Sequence, residues 1–180
     1  MKALEYLRQE HRRIEQMLVA LATVATELER SGTAPIYAAD LLDFFEQYAD
    51  VGHHEKEEAF LFPALARNGV GPEGLVEAMT HQHVMGRVHV RDMRRHLERA
   101  RRGDRDAAAA FVNSARTYVE LLRVHIEIED ENLYPLADQV LSAAESLELT
   151  RQFAAADGSR EARERQARWD LLLSRVHEIA

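Results

Sequence analysis

The sequence predicts an all-α fold, an up-down four-helix bundle with a short C-terminal helical extension. Three observations carry that prediction. Glycine (8) and proline (4) are scarce in 180 residues, and the Ala, Leu, Glu and Arg that replace them lose little rotamer freedom in a helix. Long stretches repeat apolar residues at alternating spacings of three and four, the pattern of a single buried helix face. The breaks between those stretches are short, which makes successive helices antiparallel neighbours.

The first helix carries Leu4, Leu7, His11, Ile14, Leu18, Leu21, Ala25 and Leu28 in such a seam and ends at Ser31-Gly32-Thr33-Ala34-Pro35. A second is expected from about Ile36 to Arg67, with Leu41, Phe45, Ala49, His53 and Phe60 near one face. Pro63 should bend or interrupt its last turns, because proline lacks the N–H that the ladder needs. After the loop Asn68–Gly74, a third helix presents Val76, Met79, His83, Gly86, Val90, Met93, Leu97 and Ala100. Gly103-Asp104 marks the next turn, with Asp104 as N-cap. The fourth helix passes Phe111, Tyr118, Leu121, Leu122, His125 and Ile128 and reaches Leu136 or beyond. The bundle is thus expected over residues 1–138, with 139–180 as accessory helices packed on it or at an oligomer contact. That segment reads as a short helix from Leu141 to Ala156, a turn at Asp157-Gly158-Ser159, and an amphipathic helix presenting Trp169, Leu172, Leu173 and Val176.

Composition narrows the function. The net charge of −8 offers no positive field to gather phosphates, so nucleic acid is not an expected partner. The absence of cysteine excludes disulfides, thiolate metal sites and cysteine nucleophiles. No run approaches ~20 apolar residues, and the start of the chain has no apolar signal region, so a soluble cytoplasmic protein without a membrane partner is expected. What stands out is nine histidines without a tag-like cluster.

Four of them belong to a duplication with an offset of 72 residues. The shift takes His11 to His83, His53 to His125, Glu57 to Glu129, Leu61 to Leu133 and Pro63 to Pro135, and carries the first seam onto the third. Each half is a helical hairpin with one histidine in the seam of its first helix and His-x-x-x-Glu on its second. Residues four apart differ by only ~40° around a helix, so His53 and Glu57 point the same way, as do His125 and Glu129. A single such pair means nothing: nine histidines and 31 acids in 180 residues give about 1.5 by chance at this helical spacing. Chance does not supply a shared offset with histidines replacing apolar residues inside two seams.

Packing the hairpins about a two-fold axis brings His11, His53, Glu57, His83, His125 and Glu129 together in the core. Two buried carboxylates repel, and each unpaired buried charge costs several kcal/mol. With no obvious cation on that face of either helix, a bound metal is the resolution, and a nitrogen and oxygen donor set suits iron, less selectively manganese or zinc. His54 is expected to pair with Glu58 on a partly exposed face. His81, His89 and His96 fall off the third seam, and His177 lies near the C-terminus. Asp50, one turn before His53, is placed either to orient a ligand imidazole or to stay solvated. Tyr118 either approaches the site or packs.

At Glu10-His11-Arg12-Arg13-Ile14-Glu15, His53-His54-Glu55-Lys56-Glu57-Glu58-Ala59-Phe60-Leu61-Phe62-Pro63, His83-Val84-Met85-Gly86-Arg87 and His125-Ile126-Glu127-Ile128-Glu129-Asp130-Glu131-Asn132-Leu133-Tyr134-Pro135, the chain resembles the hemerythrin-like (HHE cation-binding) family. The resemblance implies a non-haem centre of two iron ions, oxo- or hydroxo-bridged, with His11, His53, His83 and His125 as terminal ligands and Glu57 and Glu129 as bridges. One departure matters: oxygen-carrying hemerythrins have a further histidine one turn after the third-helix ligand, where this chain has Arg87, which does not ligate. Open positions on the metals follow, with Asp50, His54 and Tyr118 as the residues placed to fill one.

The resemblance points to binding of O2, peroxide or nitric oxide, in sensing or in defence against oxidative or nitrosative stress. If the protein is an enzyme, it is an oxidoreductase acting on peroxide or nitric oxide. The alternatives are an iron donor for repair of iron–sulfur clusters, an O2 carrier, or iron storage. Ferritin-like storage sites use Glu-x-x-His, which no histidine here satisfies. A homodimer through the C-terminal helices is a further expectation.

Overall fold

The computed structural model describes residues 2–158 and 160–177, with the side chains of 160–166 and 176–177 excepted; Ser159, Val176 and His177, all considered above, therefore lie outside what is described. Among the described residues there are six helices and no strands. Helix α1 is Lys2–Ser31. Helix α2 is one continuous run over 38–67, α3 is Leu75–Arg101, and α4 is continuous over 105–140. Two further helices follow, α5 at Ala143–Asp157 and α6 at Arg160–His177.

Helix α1 buries its whole predicted seam, and α3 buries its own from Met79 onward. Helix α4 packs along both. Asp104 caps α4 as expected, its side chain accepting from the Ala107 N–H at 3.0 Å. Gly103 before it has φ +85°, a left-handed conformation that any side chain would strain.

Two sequence expectations for α2 are corrected. The helix starts at Ala38, not Ile36, which is 90% exposed in a turn. Nor does Pro63 break the helix. The turn just ahead of it, Glu57–Leu61, widens to π-helical geometry, as does the earlier stretch Phe45–His54, and α-helix resumes at Phe62–Arg67. A π turn bonds five residues apart rather than four, so carbonyls ahead of a proline find donors further along; here the Phe62 N–H reaches the Glu57 carbonyl. The second half repeats this device. Helix α4 is α-helical over Arg105–Ile128, π-helical over Glu129–Leu133, and α-helical again from Tyr134, whose N–H reaches the Glu129 carbonyl ahead of Pro135. The 72-residue duplication therefore extends to the π turn ahead of each proline, whereas the π segment Phe45–His54 has an α-helical counterpart.

The core divides into two apolar clusters. One, with Ile14 to Leu28, Leu41, Phe45, Val90, Leu97, Phe111 and Leu122, fills the half of the bundle nearer the α1–α2 and α3–α4 loops. The other, with Leu4, Leu7, Leu61, Leu65, Met79, Leu133 and Ala137, fills the opposite half. Helix α5, opened by a capping box at Ser142 and Glu145, adds Leu149 and Phe153 to the second cluster. Helix α6 adds Trp169 and Leu172 to the first, the indole edge-on to Phe44 at 5.6 Å. Trp169, Leu172 and the partly buried Leu173 of the α6 stripe pack within the chain. Between the two clusters, at one level in all four bundle helices, lie the residues that break each seam.

Candidate metal centre

His11 of α1, His53 and Glu57 of α2, His83 of α3, and His125 and Glu129 of α4 meet between the apolar clusters, each no more than 1% exposed. The six side chains expected as ligands are brought together here. His11 Nε2 lies 3.0 Å from His53 Nε2 and 3.2 Å from Glu129 Oε2. His125 Nε2 is 3.2 Å from Glu129 Oε2, and His83 Nε2 is 3.5 Å from Glu57 Oε2. Two overlapping nests result: His11 and His53 with both carboxylates, and His83 and His125 with the same two carboxylates. Glu57 and Glu129 are common to both, as bridges between two ions would be.

Each imidazole is turned by a partner on its outer nitrogen. His53 Nδ1 meets Glu10 at 3.0 Å, His11 Nδ1 meets Asp130 at 3.0 Å, His83 Nδ1 meets Glu58 at 2.7 Å, and His125 Nδ1 meets Gln82 at 2.9 Å. With Nδ1 so engaged, Nε2 points inward, the arrangement that fixes a metal-ligating histidine. These partners obey the duplication too, since Glu10 plus 72 is Gln82 and Glu58 plus 72 is Asp130. That offset is the sequence signal for them.

Other expectations are corrected. Asp50 does not hold a ligand imidazole: it accepts from Arg87 Nε at 2.7 Å. Arg87 also reaches Glu58 at 2.8 Å, so Glu58 is not the partner of His54. His54 is buried at 3% exposure, its ring stacked on His83 with centroids 4.0 Å apart and edge-on to His125 at 5.3 Å. His53 and His54 lie in π-helical backbone and are both buried, as are their counterparts His125 and Ile126 in α-helical backbone, so adjacent positions here both face the interior. Tyr118 is buried and packs edge-on to Phe45 at 5.0 Å. A cation is buried near the site after all, but Lys56 Nζ pairs with Glu10 and, at 2.8 Å, with Asp157 rather than with the bridging carboxylates.

Tyr134 was not predicted. Its hydroxyl donates to Glu57 Oε1 at 2.7 Å and lies 3.2 Å from His11 Nε2, and its ring stacks on His11 at 5.4 Å. Its counterpart by the offset, Phe62, stacks on His83 at 6.0 Å without a hydroxyl.

Electrostatics define what the cluster lacks. Burial opposes a charge on His11, but Asp130 and Glu129 outweigh it and push the imidazole up to about 10. His83 is likewise held up to about 9 against burial by Glu57 and Glu58. Burial, then repulsion from Glu57, raises Glu129 to about 8; Glu57 itself, despite burial, is held low by His53 and His83. Burial and then His83 drive His54 and His125 well below the usual histidine range. Without metal, protons on two imidazoles are the main positive charge offered to the acids.

The hydrogen bonds are also incomplete. Among the described residues, the buried side-chain atoms without any partner are Nε2 of His83 and His125, both nitrogens of His54, Glu57 Oε2, both oxygens of Glu129, and, away from this site, His96 Nδ1. Such atoms are rare in folded proteins and each requires an explanation. Nitrogen and carboxylate donors that point inward, unpaired, at one another fit a cation.

The chain matches the hemerythrin HHE cation binding domain over residues 2–137. It belongs to that family. No curated protein and no solved structure matches the chain. In this hemerythrin HHE domain the His and Glu clusters can hold metal, and no described helix is long and apolar enough to cross a membrane.

Proposed function

We propose that this hemerythrin HHE domain holds two iron ions, His11 and His53 ending one and His83 and His125 the other, with Glu57 and Glu129 bridging. The ions serve to bind O2, peroxide or nitric oxide, in sensing or in defence against oxidative or nitrosative stress, within a cytoplasmic protein. The observation that carries this reading is the convergence of buried imidazole nitrogens and carboxylate oxygens from all four bundle helices, those of His83, His125, Glu57 and Glu129 including atoms with no hydrogen-bond partner. When bound, the iron pair supplies coordination positions and electrons for a small ligand.

The chain's own residues set what can be bound. The outer carboxylates and Gln82 hold the imidazoles in one tautomer, with Nε2 inward. Apolar clusters on both sides exclude bulk water. The Tyr134 hydroxyl donates a hydrogen bond into the nest, to Glu57. A cleft of about 800 Å³, lined by Tyr6, Glu10, Arg13, Tyr48 and Asp157, reaches only the outer partner of His53.

The test is metal content and absorption. Protein made aerobically with iron should contain about two irons per chain, the number its donors serve, and show oxo-bridge charge-transfer absorption in the near ultraviolet. Zinc or no metal would defeat the reading. Chelation should lower the melting temperature, because binding free energy is coupled to folding; identical melting with and without metal would argue against a core site. Exposing the reduced protein to O2, peroxide and nitric oxide separates the roles: a reversible adduct indicates carriage or sensing, and repeated consumption indicates an enzyme.

A further inference from the structure

His54 is absorbed neither by the duplication nor by packing. Its counterpart at the 72-residue offset is Ile126, an aliphatic side chain buried at 4% exposure. Yet an imidazole is buried there at 3% exposure with no hydrogen bond to either nitrogen. The nearest carboxylate, Asp50, stands 3.7 Å from Nδ1, too far for a hydrogen bond, and is engaged by Arg87. Leaving a buried polar group unpaired costs roughly 1–3 kcal/mol. One nitrogen of His54 lies within 4.8 Å of donor nitrogens on both His83 and His125.

Resting on the two-iron reading above, we infer that His54 is a metal ligand, the third imidazole at the His83 and His125 end. The two ends then differ. One has three imidazoles and both bridging carboxylates; the other has His11, His53 and the same carboxylates, with the Tyr134 hydroxyl alongside. The vacant position for a small ligand falls at the His11 and His53 end, beside Tyr134, and not at the end lined by His54.

The experiment is anaerobic titration of the metal-free full chain with ferrous iron, comparing wild type with His54→Ile and His54→Gly. Isoleucine copies the residue at the related position, so metal-free His54→Ile should melt like wild type. The expected result is that one of two ferrous ions binds ~100-fold or more weakly, beyond the 10–100-fold typical when only a ligand's hydrogen-bonding partner is lost. The other ion should be unaffected, and added imidazole should restore the lost ion in His54→Gly. If both variants fail to fold, nitrogen NMR of the histidines in wild type, metal-free and metal-loaded, decides: the His54 ring nitrogen should shift with those of the other four. Two ferrous ions bound with unchanged affinity in His54→Ile, or an unshifted His54 nitrogen, would overturn the assignment and leave the two-iron reading standing. Wild type that binds no iron would overturn both.

Discussion

Tyr134 and Phe62 stand at the same place in the two halves of the chain, each stacked on a site histidine, and only one carries a hydroxyl. Phenylalanine is therefore already known to fit, and Tyr134→Phe should fold. Its cost is the hydrogen bond to the buried Glu57, about 1–3 kcal/mol in the metal-free protein, because the acceptor is left unsatisfied away from water; urea unfolding would measure it. An unchanged midpoint would mean that Glu57 finds another donor. The six residues of the nest were legible because the duplication placed histidines inside apolar seams. His54 was not, because an imidazole off the apolar seam reads as a surface group and only the fold shows it packed against His83 and His125. Glu10 and Asp130 were half legible: the offset marks them, but only the fold shows which imidazole each one turns.

The π turns are where helix geometry and site chemistry meet. Glu57 and Glu129 each begin a π segment, and each segment ends just ahead of a residue followed by proline. In the sequence the missing N–H of Pro63 marks a bend or an interruption, and the longer-range bond of the π turn carries the helix through it. Helix existence, order and caps were otherwise plain from periodicity and from Asp104, whereas the starting residue of α2 was not, since Ile36 is apolar yet outside the fold's interior. Helix α6 offers a test of its own. Trp169 lies in the same apolar cluster as Phe44 and Leu41 at 2% exposure. Trp169→Ala should cost about 3–5 kcal/mol, the range for emptying a buried aromatic site, seen as a lower thermal midpoint. A cost within ±0.5 kcal/mol, the range of surface substitutions, would place α6 outside the cooperative core.

Taken whole, the bundle is a polar layer held between two apolar ones, and its stability without metal should depend on pH in a definite direction. His11 and His83 keep their protons in the folded chain up to about 10 and about 9, and Glu129 up to about 8. The unfolded chain releases them near 6.5 for histidine and near 4.3 for glutamate. Between pH 7 and 9 the folded state therefore binds more protons, and stability falls as pH rises. The groups held low, His54 and His125 among them, act only below about pH 6.5 and in the opposite sense. Metal displaces those protons, so the loaded protein should melt at nearly the same temperature at pH 7 and pH 9 while the metal-free protein melts lower at pH 9. Parallel behaviour of the two forms would contradict the placement of cations among these acids.

The bridge from Arg87 to Asp50 and Glu58 has a kinetic consequence. These half-exposed groups stand beside a cavity of about 290 Å³ that His54 and Tyr118 also line, on the flank of the bundle between α2 and α3. Ions between half-exposed groups are weakened by dissolved salt, whereas greasy plugs above and below the layer are not. Iron removal by a chelator should therefore quicken with ionic strength if traffic passes this latch, and stay indifferent to salt if the helices must part elsewhere.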